Sequence, residues 1–134
     1  MNIDFGLLLL RIATGGLMFF HGLAKLLHGH EGIKNALVKH NLPEFLWIGV
    51  PISEFIAPLL IILGVFTRIS SLLITLVMLF AIYLVIGFDN AFSLGPNGGL
   101  KSELNLFFIF AGLTLFFTGP GKYTVTKTRN NWLK

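Results

Sequence analysis

The sequence predicts an all-α integral membrane protein, a four-helix bundle with both termini in the cytoplasm. Three observations carry this. Of 134 residues, 54% are hydrophobic and 12% charged, against about 45–50% and about 25% in soluble domains. Mean hydropathy is +0.82. The apolar residues gather in four stretches, each near the roughly 20 residues that cross a ~30 Å hydrocarbon core. A soluble domain of this size has too little interior to hide so much apolar surface. A bilayer removes the need.

The first span covers about 5–27 and contains Arg11, His21 and Lys25. The second, about 45–66, contains Glu54 together with Pro51 and Pro58. The third, about 69–88, has no charge at all. The fourth, about 102–118, stops at Gly119-Pro120-Gly121, a strong helix-termination signal. It is also the shortest, since Leu104 to Thr118 measures only about 22 Å at 1.5 Å per residue. To span, it must start earlier, which draws Glu103 and Ser102 against the apolar slab; local thinning of the bilayer is the alternative. Between the first two spans, 31–40 reads as a short amphipathic helix with Ile33, Ala36 and Leu37 on one face, suited to the membrane surface. The segment 89–99, rich in Gly, Pro and Asn, reads as an irregular loop. The chain is one domain without an internal repeat.

Charge placement gives the orientation. Arg68, Lys122, Lys127, Arg129 and Lys134 share one side with the termini, and Lys34, Lys39 and Lys101 lie on the other. The excess sets both termini in the cytoplasm by the positive-inside rule. The net charge of +4 is not arranged as a basic helix face or interleaved with an aromatic platform, so no nucleic-acid partner is expected. Cysteine is absent, which excludes disulfides, thiolate metal sites and CxxC redox chemistry carried by this chain. A cleaved signal peptide is not expected either. Asp4 stands where a basic n-region should be, Arg11 interrupts the apolar run, and no small-residue cleavage site follows. His28, His30 and His40 lack a firm fourth ligand, so no metal is expected. Only His21 lies within a span, which leaves haem without axial ligands.

Ionisable groups inside a bilayer are costly, about 2.5–3.5 kcal/mol each on insertion scales, and therefore face the bundle interior and pair. At 100° per residue, Arg11, Gly15, Met18, Gly22 and Lys25 form one stripe of the first helix, with His21 adjoining it. Gly15 and Gly22 would let another helix approach closely. Glu54 is the single acid in the middle of a span and sits about 12–15 Å deep by counting from the outer end. Lys25 falls near the outer boundary, His21 about 6 Å below it, and Arg11 in the inner third. Glu103 enters at the outer end of the fourth helix with Asn105 beneath it. Depth therefore allows a cluster of His21, Lys25, Glu54 and Glu103 backed by Asn105. Each has a structural alternative: Lys25 snorkelling to the headgroups, Arg11 snorkelling inward or pairing with Glu54, and His21 hydrogen-bonding between helices.

These residues resemble a known pattern. Arg11-(x3)-Gly15-(x5)-His21-Gly22-(x2)-Lys25-Leu26 is similar to the first-helix signature of the DoxX family. Glu54 followed by Gly64-(x2)-Thr67-Arg68 resembles its second helix and short turn, and Glu103, Asn105-Leu106 and Gly119-Pro120-Gly121 its fourth helix and exit. The resemblance implies a four-helix bundle of the bacterial inner membrane, related to proteins described as oxidoreductases or their subunits and linked to quinones. More distant relatives act as cargo receptors or assembly chaperones. It carries over Arg11, His21, Lys25, Glu54 and Glu103. After Gly121 many members continue Ser-(x)-Asp, whereas this chain reads Lys122-Tyr123-Thr124-Val125-Thr126, so no role for that acid carries over.

The leading expectation is a quinone-linked redox protein or the membrane subunit of an oxidoreductase complex. Glu54 and His21 are the catalytic candidates, and Arg11, Lys25, Glu103 and Asn105 the binding candidates. No covalently bound cofactor is expected, a quinone being the candidate ligand. The expected partners are the lipid bilayer, a soluble or membrane redox protein, and a second copy of the chain. The competing expectations are a non-enzymatic scaffold or chaperone, and a small-molecule or proton-coupled carrier.

Overall fold

The computed structural model describes residues 2–125 and is all-helical over them, with no β-strand and one isolated bridge between Leu94 and Leu100. Helix α1 runs Ile3–His28. Asn2 caps it by accepting from Phe5 N at 3.2 Å, which satisfies one of the orphan N–H groups of the first turn. The buried residues of α1 are Arg11, Thr14, Gly15, Met18 and Gly22, the stripe expected from the 100° periodicity with Thr14 added and Lys25 only half-buried. A nine-residue helix α2, Glu31–Lys39, follows, with Leu37 fully buried.

Helix α3 occupies Glu44–Leu63. It opens as a 3₁₀ turn over Glu44–Ile48 and widens to a π-turn at Ile52–Ile56. It ends at Leu63, three residues before the span limit expected from hydropathy, with Gly64 (φ +74°) as its cap. There Gly64 N donates to Ile61 O at 3.0 Å and Val65 N to Leu60 O at 2.9 Å, a glycine-terminated helix end. After two residues, α4 runs Thr67–Ile86 and closes on a second π-turn at Ile82–Ile86 and on Gly87 (φ +78°). A single turn α5, Phe88–Ala91, leads through the loop to α6, Glu103–Thr118.

Helices α1 and α3 pack together, as do α4 and α6, and α3 joins the two pairs through α4. The apolar core is built from Met18, Ile61, Ile74, Phe108 and Leu115, each 1% exposed or less. The distribution of polarity is inverted relative to a soluble protein. Arg11, Thr14, Ser53, Glu54, Ser70, Ser71 and Thr75 are inside, while Leu17, Phe20, Phe107, Phe110 and Phe117 are more than half exposed. Such a surface suits hydrocarbon, where interior hydroxyls and small residues hold helices together.

Among the described residues, three helices, α1, α3 and α4, are long and apolar enough to cross a membrane. The fourth apolar helix, α6, has 16 residues and measures about 24 Å. Lys127, Arg129 and Lys134, three of the basic residues used to orient the chain, lie outside the described residues.

Candidate functional site

Glu54 is 1% exposed and sits in the π-turn of α3. The sequence explains the local geometry. Pro58 has no N–H to give the Glu54 carbonyl four residues back, so the regular ladder cannot close there. A widened turn is one way a helix absorbs such a gap, and it is a frequent feature of functional sites. Gly22 of α1 lies directly against the Glu54 carbonyl, so closely that any Cβ at 22 would collide with it. That close approach brings Lys25, one turn further along α1, within reach of the Glu54 side chain.

The Lys25 ammonium straddles the carboxylate, with Nζ 2.6 Å from Oε1 and 2.6 Å from Oε2. The Lys25 side chain is 33% exposed and that of Glu54 1%. The pair is thus a buried acid held by a cation that still touches the exterior. Nζ carries three donors, and the carboxylate engages at most two of them.

Arg11 does not pair with Glu54, and at 1% exposed it does not snorkel. Its guanidinium donates from Nε to Ile61 O at 2.8 Å, from Nη2 to Ile62 O at 2.6 Å, and from Nη1 to Pro120 O at 3.0 Å and to Tyr123 O. The first two carbonyls belong to the last turn of α3, whose partial negative charge offsets the cation. The other two belong to the segment that follows α6. Val125 N donates to Leu63 O beside them at 3.0 Å. Arg11 therefore joins α1, the end of α3 and the exit of α6.

The remaining candidates do not converge on Glu54. His21 is exposed, with Nδ1 3.1 Å from Leu17 O and its ring edge-on to Phe108 of α6. Glu103 is exposed at the start of α6, its carboxylate folded over Gly99 in the preceding loop. Asn105 is half-buried and donates weakly to Met78 Sδ at 3.6 Å. Among the described residues, none of the three makes a hydrogen bond or ion pair with Lys25 or Glu54. His30 and His40, which flank α2, stack on Trp47 and Tyr83.

The sequence places Arg68 only in the orientation count and the family-like turn, without a partner. Arg68 donates from Nη1 to Phe116 O in the last turn of α6 at 2.7 Å, so it closes α6 as Arg11 closes α3. The readable signal was its place: both arginines stand at the same end of the molecule, where two helices terminate.

The fold and this site define a small membrane protein whose interior, among the described residues, holds one acid–cation pair and one carbonyl-caged arginine. Residues 6–87, from the first turn of α1 to the end of α4, match the family model DoxX. The chain belongs to the DoxX family. It is 36% identical over 84 residues to a Bacillus subtilis (strain 168) protein named "Putative oxidoreductase CatD". That alignment covers 63% of this chain and 62% of the relative, so the chain spans a little under two thirds of the relative's length. No solved structure matches. Arg11, His21, Lys25, Glu54 and Arg68 all fall within the family match, whereas α6 with Glu103 and Asn105 lies beyond it.

Proposed function

We propose that this chain is the membrane subunit of a quinone-linked oxidoreductase, spanning the bacterial inner membrane four times with both termini in the cytoplasm. The observation that carries the reading is the Lys25–Glu54 pair. A carboxyl about 15 Å along α3 from Glu44 is 1% exposed, yet its partner ammonium is one-third exposed. The pair thereby links the interior to the outer face. In hydrocarbon, an ionisable pair of this kind is a proton-handling or binding site by default.

The donor set fits a quinone. Lys25 has an uncommitted N–H for a ring oxygen, and Glu54 can hold or release a proton at Oε1 or Oε2. When bound, a quinone supplies the two-electron, two-proton couple, with the electrons coming from a partner protein. The residues of this chain then have two tasks. Lys25 orients the oxygen, and Glu54 holds the ammonium in place and exchanges the proton at its carboxylate. His21, one turn below Lys25 and exposed, is a second titratable group on the same helix. The fourth span is α6, which reaches across a core locally thinned or entered through Glu103. The relative named as an oxidoreductase supports the same class.

The test is binding in mild detergent. Ubiquinone and menaquinone analogues are titrated against the wild-type protein and Glu54→Gln, and lipids that co-purify are extracted and identified. Saturable binding weakened by Glu54→Gln is expected. No binding, with membrane quinone reduction unaltered by Glu54→Gln, would overturn the reading.

A scaffold function has its own support in Arg11, which gives four of its five N–H donors to backbone carbonyls of two separate segments. On that reading the chain holds a redox partner rather than a quinone. A partner protein co-purifying equally with wild type and Glu54→Gln, and no quinone binding, would favour it.

A further inference from the structure

Between helices α3 and α4 lies a groove of about 350 Å³, within the size range of small-molecule sites, about 300–1,000 Å³. Leu46, Leu73, Leu76 and Phe80 line it, and α3 adds Gly49 and Ser53. Two features there are not explained by packing of the chain on itself. Gly49 is exposed in the body of α3, and a Cβ at that position would meet nothing within 4 Å. A glycine weakens a helix, and no neighbour within this chain requires one. Ser53 is only 5% exposed, yet among the described residues its hydroxyl makes no hydrogen bond. Buried helical hydroxyls ordinarily donate back to a carbonyl of the preceding turn, as Thr75 does to Ser71 O at 2.9 Å. Among the described residues Thr14 and Thr67 also lack a partner, but their hydroxyls are enclosed by the bundle, whereas Ser53 borders the groove.

We propose that the α3–α4 groove binds a slender lipid-phase amphiphile whose carbonyl or hydroxyl oxygen hydrogen-bonds Ser53. Depth selects the ligand. Ser53 lies nine residues from the start of α3, about 13 Å along it. At that level a phospholipid offers only methylenes, which would leave the hydroxyl unpaired. What supplies the missing acceptor is a chain or ring with an oxygen partway along its length, entering sideways past the exposed Leu76. The groove opens between α3 and α4, whereas Lys25 reaches Glu54 from α1. The two sites are separate, and this one stands or falls apart from the redox reading.

The test uses 4-dodecylbenzophenone, a redox-inert probe whose photoreactive group is itself a carbonyl, on the full chain in phosphatidylcholine nanodiscs. Labelling is expected to concentrate on 46–53 and 73–80. Gly49→Leu should abolish it there, with thermal unfolding confirming the fold, because its side chain extends into the groove rather than into another helix. Ser53→Ala should weaken labelling about fivefold, the equivalent of roughly 1 kcal/mol. Excess 2-dodecanone should displace the probe, and dodecane should not. Three results would overturn the proposal. Labelling spread evenly over the lipid-facing helices would show ordinary solvation by lipid. Equal displacement by dodecane would reduce the groove to a tail slot. Efficient cross-linking of Leu76→Cys between copies, in a chain otherwise without cysteine, would assign the groove to a dimer contact.

Discussion

Lys25 Nζ lies 2.6 Å from both carboxylate oxygens of Glu54, but the two side chains are unequally buried, at 33% and 1% exposed. The inequality predicts an asymmetric response to mutation. Removing the cation strands a charge with no access to water, whereas removing the acid frees a lysine that can extend outward. Lys25→Met is therefore expected to destabilise the protein by about 3 kcal/mol. Glu54→Gln should cost about 1 kcal/mol or less. Thermal unfolding of the two variants in the same detergent measures the difference. Equal losses would show that the carboxylate has another partner.

Arg11 gives a second expectation. Its four hydrogen bonds reach carbonyls on two separate segments, 61–62 and 120–123, a geometry that needs the planar fork of a guanidinium. Lysine keeps the charge but loses that fork. Arg11→Lys should lower stability by about 3 kcal/mol, close to the cost of Arg11→Gln. If Arg11→Lys behaves as wild type, charge alone suffices and the carbonyl cage is incidental.

Gly22 and Gly16 make a matched pair. Any Cβ at 22 strikes the Glu54 backbone, whereas one at 16 meets nothing within 4 Å. Gly22→Ala should push α1 from α3 and cost about 1–3 kcal/mol. Gly16→Ala should stabilise the helix by up to about 1 kcal/mol. Unfolding midpoints moving in opposite directions confirm the assignment. Two small shifts of the same sign would remove Gly22 from the helix contact.

What the sequence could and could not reveal follows from these residues. Hydropathy marks the apolar helices, and 100° periodicity finds the buried stripe from Arg11 to Gly22, because both are local. Depth counting places His21, Lys25, Glu54 and Glu103 at compatible heights but carries no azimuth. Of that set only Lys25 and Glu54 meet, since His21 turns toward Phe108 and Glu103 toward Gly99. Partners of Arg11 are invisible in a sequence because they are backbone carbonyls, which every residue possesses. The groove at Ser53 is equally hidden. It lies between two helices, and the pairing of helices cannot be read from either one alone.

Helix α6 yields the last prediction, because two distant features hold the same piece of chain. Gly112 packs α6 onto α4, where a Cβ would lie 2.9 Å from Ser71 O and would strike Thr75 Oγ1. The segment leaving α6 then supplies Pro120 O and Tyr123 O to Arg11. Gly112→Val should lift α6, cost about 1–3 kcal/mol, and open the region after Thr118 to protease. Once α6 is displaced, Arg11 has already lost two of its four acceptors. Combining Gly112→Val with Arg11→Lys should then cost less than the sum of the single changes, by about 1 kcal/mol or more. The residues lie on different helices, so additive losses in a double-mutant cycle would show that Arg11 stabilises α3 alone and not the exit of α6.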